Sequence, residues 1–439
     1  MNRSAGALAC LMCLLSLRQA ASQDKTLLLE TDKSRMAEDV RREFLHCWNA
    51  YKKYAWGHDE LKPLSKGYRD WGRFSLCMTP VDAMDALTLM GLADEAQEAR
   101  ELVVSKLSFD RDMEVKNFEI TIRLLGGLLS NFQLTGDKRL LTLAEELGNR
   151  LLPVFNSPTG MPYVAEIGTL LIEFGTLSKL TGKAVFYEKA KRALVELYNR
   201  RSPIGLLGSG INVETGAWTD SLSHISGGID SYYEYLLKCW RLFDDKECET
   251  MWRTSIDAAG KYLAHETTTG FWYARVNMRT GKREQTRFGA LDAFLPAVLA
   301  LSGDLERAAR LEASCYRMWT RFGIEPEEID YATMTVTEGA YPLRPEIIES
   351  AYYLYYITKR PAYLEMGRTF FDSLKRYCKT DAGYAALKDV RTKEKKDNME
   401  SFFLAETLKY LYLLFAPAET LDPTKVIFNT EAHPIRRTW

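Results

Sequence analysis

The sequence predicts an all-α fold, a closed α/α toroid of seven inner helices, each backed by an outer helix, with short β hairpins decorating one face. Two observations predict it. Turn-like clusters recur as "GLAD" (91–94), "TGDKR" (135–139), "TGKAV" (181–185), "FDDKE" (243–247), "SGDLE" (302–306) and "TKRPA" (358–362), each between two helical runs, so each reads as the tip of a helical hairpin. The run before each tip is apolar almost all round yet carries acids, while the run after it is amphipathic. Buried helices with acids near their ends suit an inner ring whose carboxylates converge on one mouth.

Taken in chain order, "PVDAMDALTLM" contributes Asp82 and Asp85, "NFEITIRLLGGLLS" (117–130) contributes Glu119, and "LLIEFGTL" contributes Glu173. "GGIDSYYEYLL" carries Asp230 and Glu234, and "GALDAFLPA" carries Asp292. "RPEIIESAYYL" adds Glu346 and Glu349, and "MESFFLAETLKYLYLLF" adds Glu400 and Glu406. "DKRLLTLAEELGNRLL" and "PAYLEMGRTFFDSLKRY" are typical of the outer ring. Identity between units is weak, so the repeat is one of architecture. Strand signals are sparse, with "PIGLLGSGINVETGAWT" (203–219) and "TGFWYARVN" (269–277) the candidate hairpins. No linker splits residues 30–439, which read as a single domain.

The stretch 117–130 carries two stripes. Phe118, Ile122, Leu125 and Leu129 form an apolar one, and Glu119, Arg123, Gly126 and Ser130 run beside it. On an arbitrary helix a Glu–Arg pair at i,i+4 is more often structural than functional. Here the helix is one of seven that bring acids to a mouth, so the second stripe faces something polar and concave.

The chain has 439 residues, is 46% hydrophobic and carries a net charge of −1, which gives no field for nucleic acid or an anionic membrane surface. Residues 1–22 read as a signal peptide, with Arg3, an apolar run from Ala5 to Leu17, and small residues at Ala20, Ala21 and Ser22. Cys10 and Cys13 fall inside that leader. No later run of about twenty apolar residues can span a bilayer. The expected destination is export: the ER lumen or secretory pathway if eukaryotic, the periplasm or outside if bacterial. Cys47, Cys77, Cys239, Cys248, Cys315 and Cys378 remain, which leaves disulfides, including one to a redox partner, open without fixing any pairing.

The five histidines show no zinc spacing, and nothing matches G-x-S-x-G, a P-loop or G-x-G-x-x-G. Carboxylates with arginine and aromatics are the equipment of a glycosidase: an acid for the leaving oxygen, a base or nucleophile opposite, and rings for sugar faces.

Seven motifs in one order sharpen this. "CWNAYKKYAWGHDELKPLS" (47–65), "TPVDAMDALTLMGL" (79–92), "FEITIRLLGGLLS", "GGIDSYYEYLLK" (227–238), "YPLRPEIIES" (341–350), "MESFFLAETLKYLYLLF" (399–415) and "FNTEAHP" (428–434) together resemble glycoside hydrolase family 47. These are the class I α-1,2-mannosidases, and the resemblance is to the ER-degradation-enhancing mannosidase-like branch. It implies an (α/α)7 barrel and an inverting, Ca2+-dependent hydrolase that removes α-1,2-linked mannose from high-mannose N-glycans.

Carried over, the resemblance makes Glu119 an acid whose proton passes through water, Glu327 in "GIEPE" the other proposed acid, and Glu346 the base. Thr430 matches a residue whose hydroxyl and carbonyl bind Ca2+, Glu400 and Glu431 match carboxylates that hold its waters, and Arg123, Arg344 and Phe402 match substrate contacts. Pro345 puts Glu346 in a helix first turn, where the dipole favours its ionised form. With Thr430 so near the end of the sequence, the tail is expected to fold back and plug the barrel.

One departure stands out. The family's third catalytic aspartate aligns with Gly289, and Asp292, one turn on, is the candidate substitute. An aspartate restored at 289 is therefore expected to raise turnover. The rival readings are a weakly active or inactive mannose-glycan-binding protein in glycoprotein quality control, and a structural toroid that presents its outer face to a partner. Carboxylates crowded into a mouth argue against the scaffold.

Overall fold

The computed structural model describes residues 32–161 and 167–439, so the expected signal peptide lies outside the described residues. The chain enters the outer ring with α1 (32–54). Six helical hairpins follow. They are α2 (Met78–Leu89) with α3 (Ala93–Lys106), α4 (117–135) with α5 (Lys138–Leu151), and α6 (Leu171–Thr181) with α7 (Ala184–Asn199). Next come α8 (Asp230–Phe243) with α9 (Lys246–Tyr262), α10 (291–302) with α11 (Leu305–Phe322), and α12 (Glu346–Thr358) with α13 (Ala362–Tyr377). The last inner helix, α14 (403–415), packs against both α12 and α2 and closes the ring of seven. Each expected inner helix is in place, and α1 completes the outer ring: Lys52 pairs with Glu98 on α3, and Lys379 after α13 pairs with Glu43 at 2.6 Å.

Local chemistry explains why the tip clusters mark the turns. Gly136, Gly182 and Gly303 end α4, α6 and α10 at positive φ, where a side chain is strained. The aspartate that follows some tips caps the next helix: Asp137, Asp245 and Asp304 accept from the backbone N–H of Arg139, Cys248 and Arg307. Those turns are short and lie at one end of the barrel. The connections from outer to inner helices lie at the other end and are long enough to carry hairpins.

Eight small sheets occur among the described residues. The first expected hairpin exists, Gly210–Ile211 with Trp218–Asp220, whereas 269–277 supplies one strand to each of two pairings, Gly270–Tyr273 with Ala264–Thr267 and Arg275–Asn277 with Arg283–Gln285. More strands form than the sequence predicts, because pieces of two to four residues pair only through tertiary context. Seven of the sheets lie on the long-connection face. The eighth departs from the expected single face: Val426–Phe428 pairs with Pro434–Arg436 after α14, and this hairpin enters the barrel from the short-turn end. Asn429, Glu431, Ala432 and His433 at its tip are buried, as the plugging tail requires.

All six described cysteines are free and buried. Burial pushes the thiols up, Cys248 to about 12 and Cys77 to about 11. No helix among the described residues is long and apolar enough to cross a membrane.

Candidate active site

The helix 117–135 shows what its second stripe is for. Its regular turns are interrupted by a π-helical segment, Ile120–Leu125, in which the Gly126 N–H donates to Thr121 O, five residues back. The Ile122 carbonyl thus bypassed accepts from Asn429 Nδ2 of the C-terminal hairpin at 2.9 Å. Asn429 Nδ2 also donates to Glu173 Oε1 at 2.8 Å, and Asn429 Oδ1 accepts from the N–H groups of Glu431 and His433 at 3.0 and 2.8 Å. The paired glycines clear the space. A Cβ on Gly126 would lie 2.5 Å from Asn429 Nδ2, and one on Gly127 would lie 2.8 Å from Val81 and 3.2 Å from the His433 ring.

Beneath the tip runs a buried ionic network. Lys409 Nζ contacts Asp85 at 2.6 Å and donates to the Ala432 carbonyl at 2.7 Å. Ser130, from the polar stripe, donates to Asp85 at 3.1 Å. His433 lies between Asp85 (2.6 Å) and Asp82 (3.4 Å). Burial opposes its charge, but the two carboxylates hold the imidazolium at about 9. Asp82 and Asp85, singled out as mouth acids, serve here as counter-charges that anchor the plug.

Above the tip the inner helices enclose a cavity of about 260 Å3. Glu119, Asp230, Glu234, Glu346, Glu349, Glu406, Thr430 and Glu431 line it, and Arg123 and Arg344 are the only cations among its lining residues. An outer groove of about 650 Å3 adjoins it, walled by Arg69, Trp71, Met113 and Glu400. Glu119, Arg123, Arg344 and Phe402 line both spaces and so form the throat between them. The Phe402 ring lies 5.4 Å from the Arg123 guanidinium and 5.9 Å from that of Arg344. Arg123 is the hinge of the charges: its Nε donates to Glu119 at 2.9 Å and its Nη1 to Ser401 at 3.2 Å, and it pairs with Glu431.

Burial raises five of the lining carboxyls. Glu346 stands at about 8, with Arg344 pulling it down, and its Oε2 is buried without a partner. The expected gain from the helix dipole is outweighed, because a first-turn dipole is worth about 1 kcal/mol and desolvation more. Glu349 reaches about 7 and Asp230 about 6, and Glu431 and Glu406 lie well above the usual carboxylate range, all by burial first.

The structure thus brings Glu119, Arg123, Arg344, Glu346, Phe402, Thr430 and Glu431 together. Three other candidates stand apart. Glu327 is outside the cavity lining and clamps Arg344, accepting from its Nε at 3.1 Å and its Nη2 at 2.5 Å. Glu400 sits in the outer groove, accepting from Asn398 at 2.6 Å, beside a Glu60 that burial and the Glu400 charge push to about 8. Asp292 does not line the cavity; its Oδ2 accepts from Gly289 N at 2.8 Å, and burial raises it to about 7. Nor is there room to restore an aspartate at 289, where a Cβ would lie 2.5 Å from the Glu327 carbonyl oxygen. Among cavity acids, Glu349 and Glu406 have no individual role in the sequence reading beyond facing the mouth. Their signal was the second acid in an already acid-bearing motif, and Glu406 falls in a second π-helical segment, Phe403–Thr407.

The family model of glycosyl hydrolase family 47 matches residues 43–164 and 163–437. Alpha-mannosidase I MNS5 of Arabidopsis thaliana is 38% identical over 453 residues, covering 93% of this chain and 78% of that protein. ER degradation-enhancing alpha-mannosidase-like protein 2 of Mus musculus is 38% identical over 457 residues, covering 92% and 78%. The alpha-1,2-mannosidase from Trichoderma reesei superposes with a TM-score of 0.84 at 27% identity, over 92% of this chain and 99% of that one. The chain belongs to glycosyl hydrolase family 47, and its (α/α)7 barrel is that family's fold.

Proposed function

We propose that the protein is an inverting, Ca2+-dependent hydrolase that removes α-1,2-linked mannose from high-mannose N-glycans in the secretory pathway. The observation that carries this reading is the throat. A glycan threaded through it would seat one terminal sugar in the inner cavity, which is below the about 300–1,000 Å3 of drug-sized sites, and the remainder in the groove. The scissile oxygen would then lie beside Glu119.

In this reading Glu119 protonates the leaving oxygen through a water, held in place by Arg123. Glu346 takes a proton from the water that attacks the anomeric carbon from the opposite side, the old C–O bond breaks, and mannose leaves in the β configuration. Phe402 stacks on sugar at the throat. Glu327 acts by holding Arg344 rather than by touching substrate, and Asp292 by holding the Gly289 strand.

The donor set fits a hard cation. Seven carboxyls face two guanidiniums in the cavity lining, and Thr430 offers a hydroxyl and a carbonyl, the oxygen ligands Ca2+ takes. Thr430 would hold the ion, with Glu431 and Glu406 beside it in the lining to hold its waters; among the described residues no group of three or more His, Cys, Asp and Glu could do so directly. Bound there, Ca2+ would supply positive charge that favours the ionised form of Glu346 and orders water beside it. Glu400, in the outer groove, is better placed to meet the glycan.

The second reading, a glycan-binding protein of weak or absent turnover, is favoured by the lack of a side chain at Gly289 and by the diversion of Asp292. Mannose release from an α-1,2-linked mannobiose, with and without chelator, separates the two: release lost on chelation supports the hydrolase, and saturable glycan binding without release supports the binder.

A further inference from the structure

A third cavity, of about 840 Å3, opens at the short-turn end, behind the plug. It is formed where α8, α10 and α12 end and where the C-terminal hairpin enters. The same hairpin thus lines two cavities, the inner one with Thr430 and Glu431 and this one with Ile427 and Phe428. Its floor is apolar and aromatic, with Leu242, Leu301, Tyr353, Ile427 and Ile435.

Its charge is one-sided. Five of its lining residues are Lys or Arg and none is Asp or Glu. Lys238 is neutralised by Glu234, and Lys425 contacts Asp422 at 3.2 Å. Arg241, Arg436 and Arg437 have no carboxylate within 4.0 Å among the described residues. Arg241 lies in the last turn of α8, where a cation offsets the helix dipole. That explains one of the three; Arg436 and Arg437 are on the tail and end no helix.

We propose that this cavity is a binding site for a small organic anion, a carboxylate or phosphate on an apolar body, held by the guanidiniums of Arg241 and Arg437 over the Tyr353 and Ile427 floor. Guanidinium forks match the geometry of both anions, and the volume lies within the about 300–1,000 Å3 of small-molecule sites. The site is separate from the throat, whose arginines are already paired with Glu119, Glu431 and Glu327.

Titration calorimetry on the whole protein tests this, with 4-phenylbutyrate, phenyl phosphate, inorganic phosphate and the neutral 4-phenylbutanol as probes. The two aromatic anions are expected to bind saturably at one site, about tenfold or more tighter than the alcohol or inorganic phosphate. Which of the two is tighter distinguishes a carboxylate from a phosphate ligand. The double variant Arg241→Gln/Arg437→Gln should weaken both about tenfold or more while mannoside binding at the throat stays unchanged, which also certifies its fold. No saturable binding, equal binding of the alcohol, or affinity unchanged in the double variant would overturn the proposal.

Discussion

Asn429 on the C-terminal hairpin donates to the carbonyl of Ile122 on α4 at 2.9 Å, and this bond joins the plug to the helix that carries Glu119 and Arg123. The carbonyl is free to accept because the π-helical segment shifts the Gly126 N–H to Thr121. A local irregularity of one helix and the position of a residue far along the chain are thus one feature.

Gly126→Ala tests that joint. Its Cβ would lie 2.5 Å from Asn429 Nδ2, so the hairpin must shift, at a cost of about 1–3 kcal/mol. A lower melting temperature, faster proteolysis of the tail and reduced hydrolysis should appear together. Deleting residues 428–439 should abolish hydrolysis outright.

Glu119→Gln and Glu346→Gln each remove a proton-transfer group while keeping shape. Turnover should fall about 10^2–10^4-fold in each, with glycan affinity within a few-fold of the parent, measured by single-turnover kinetics and equilibrium binding. Glu327→Gln, one step removed through Arg344, should raise KM more than it lowers kcat.

The pH dependence of stability follows from Glu346. Its folded pKa of about 8 is above the ordinary 4.5, so the native state keeps a proton that the unfolded chain gives up. That contribution is fully present below about 4.5 and is lost as pH rises toward about 8. In chelator, the melting temperature of the parent should therefore fall over this window, and that of Glu346→Gln should fall less. Parallel profiles would show that Glu346 is not held protonated.

Gly289→Asp reverses the expectation from sequence. With its Cβ 2.5 Å from the Glu327 carbonyl oxygen, the segment carrying Glu327 must move, so the variant should be less stable and no faster. A rise in turnover with melting unchanged would show that the segment yields readily.

The barrel was legible because its signals are local: glycine caps followed by aspartate N-caps at the tips, and inner helices too apolar for a surface. Four residues named from the quoted motifs, Glu119, Arg123, Arg344 and Phe402, meet at the throat. What sequence could not separate was one acid from its neighbour in the same motif. Glu400 and Glu406 are six positions apart, but Glu400 precedes α14 and stays in the groove, while Glu406 on α14 faces the cavity. Asp292 was misjudged for a like reason: axial spacing placed it near the mouth, but the Gly289 N–H captures its carboxylate. The short strands depend on partners distant in sequence, as Phe288 pairs with Ile329, so no window around either residue reveals them.

The most direct measurement is time-resolved proton NMR of an α-1,2-linked mannobiose incubated with the protein and Ca2+. A water between the bond and Glu346 requires the two carboxyls, Glu119 and Glu346, to stand about 6.5–9.5 Å apart and the product to invert. The account predicts that β-mannose appears first and mutarotates later, and that chelation stops its formation. α-Mannose appearing first, or release undiminished in chelator, would contradict it.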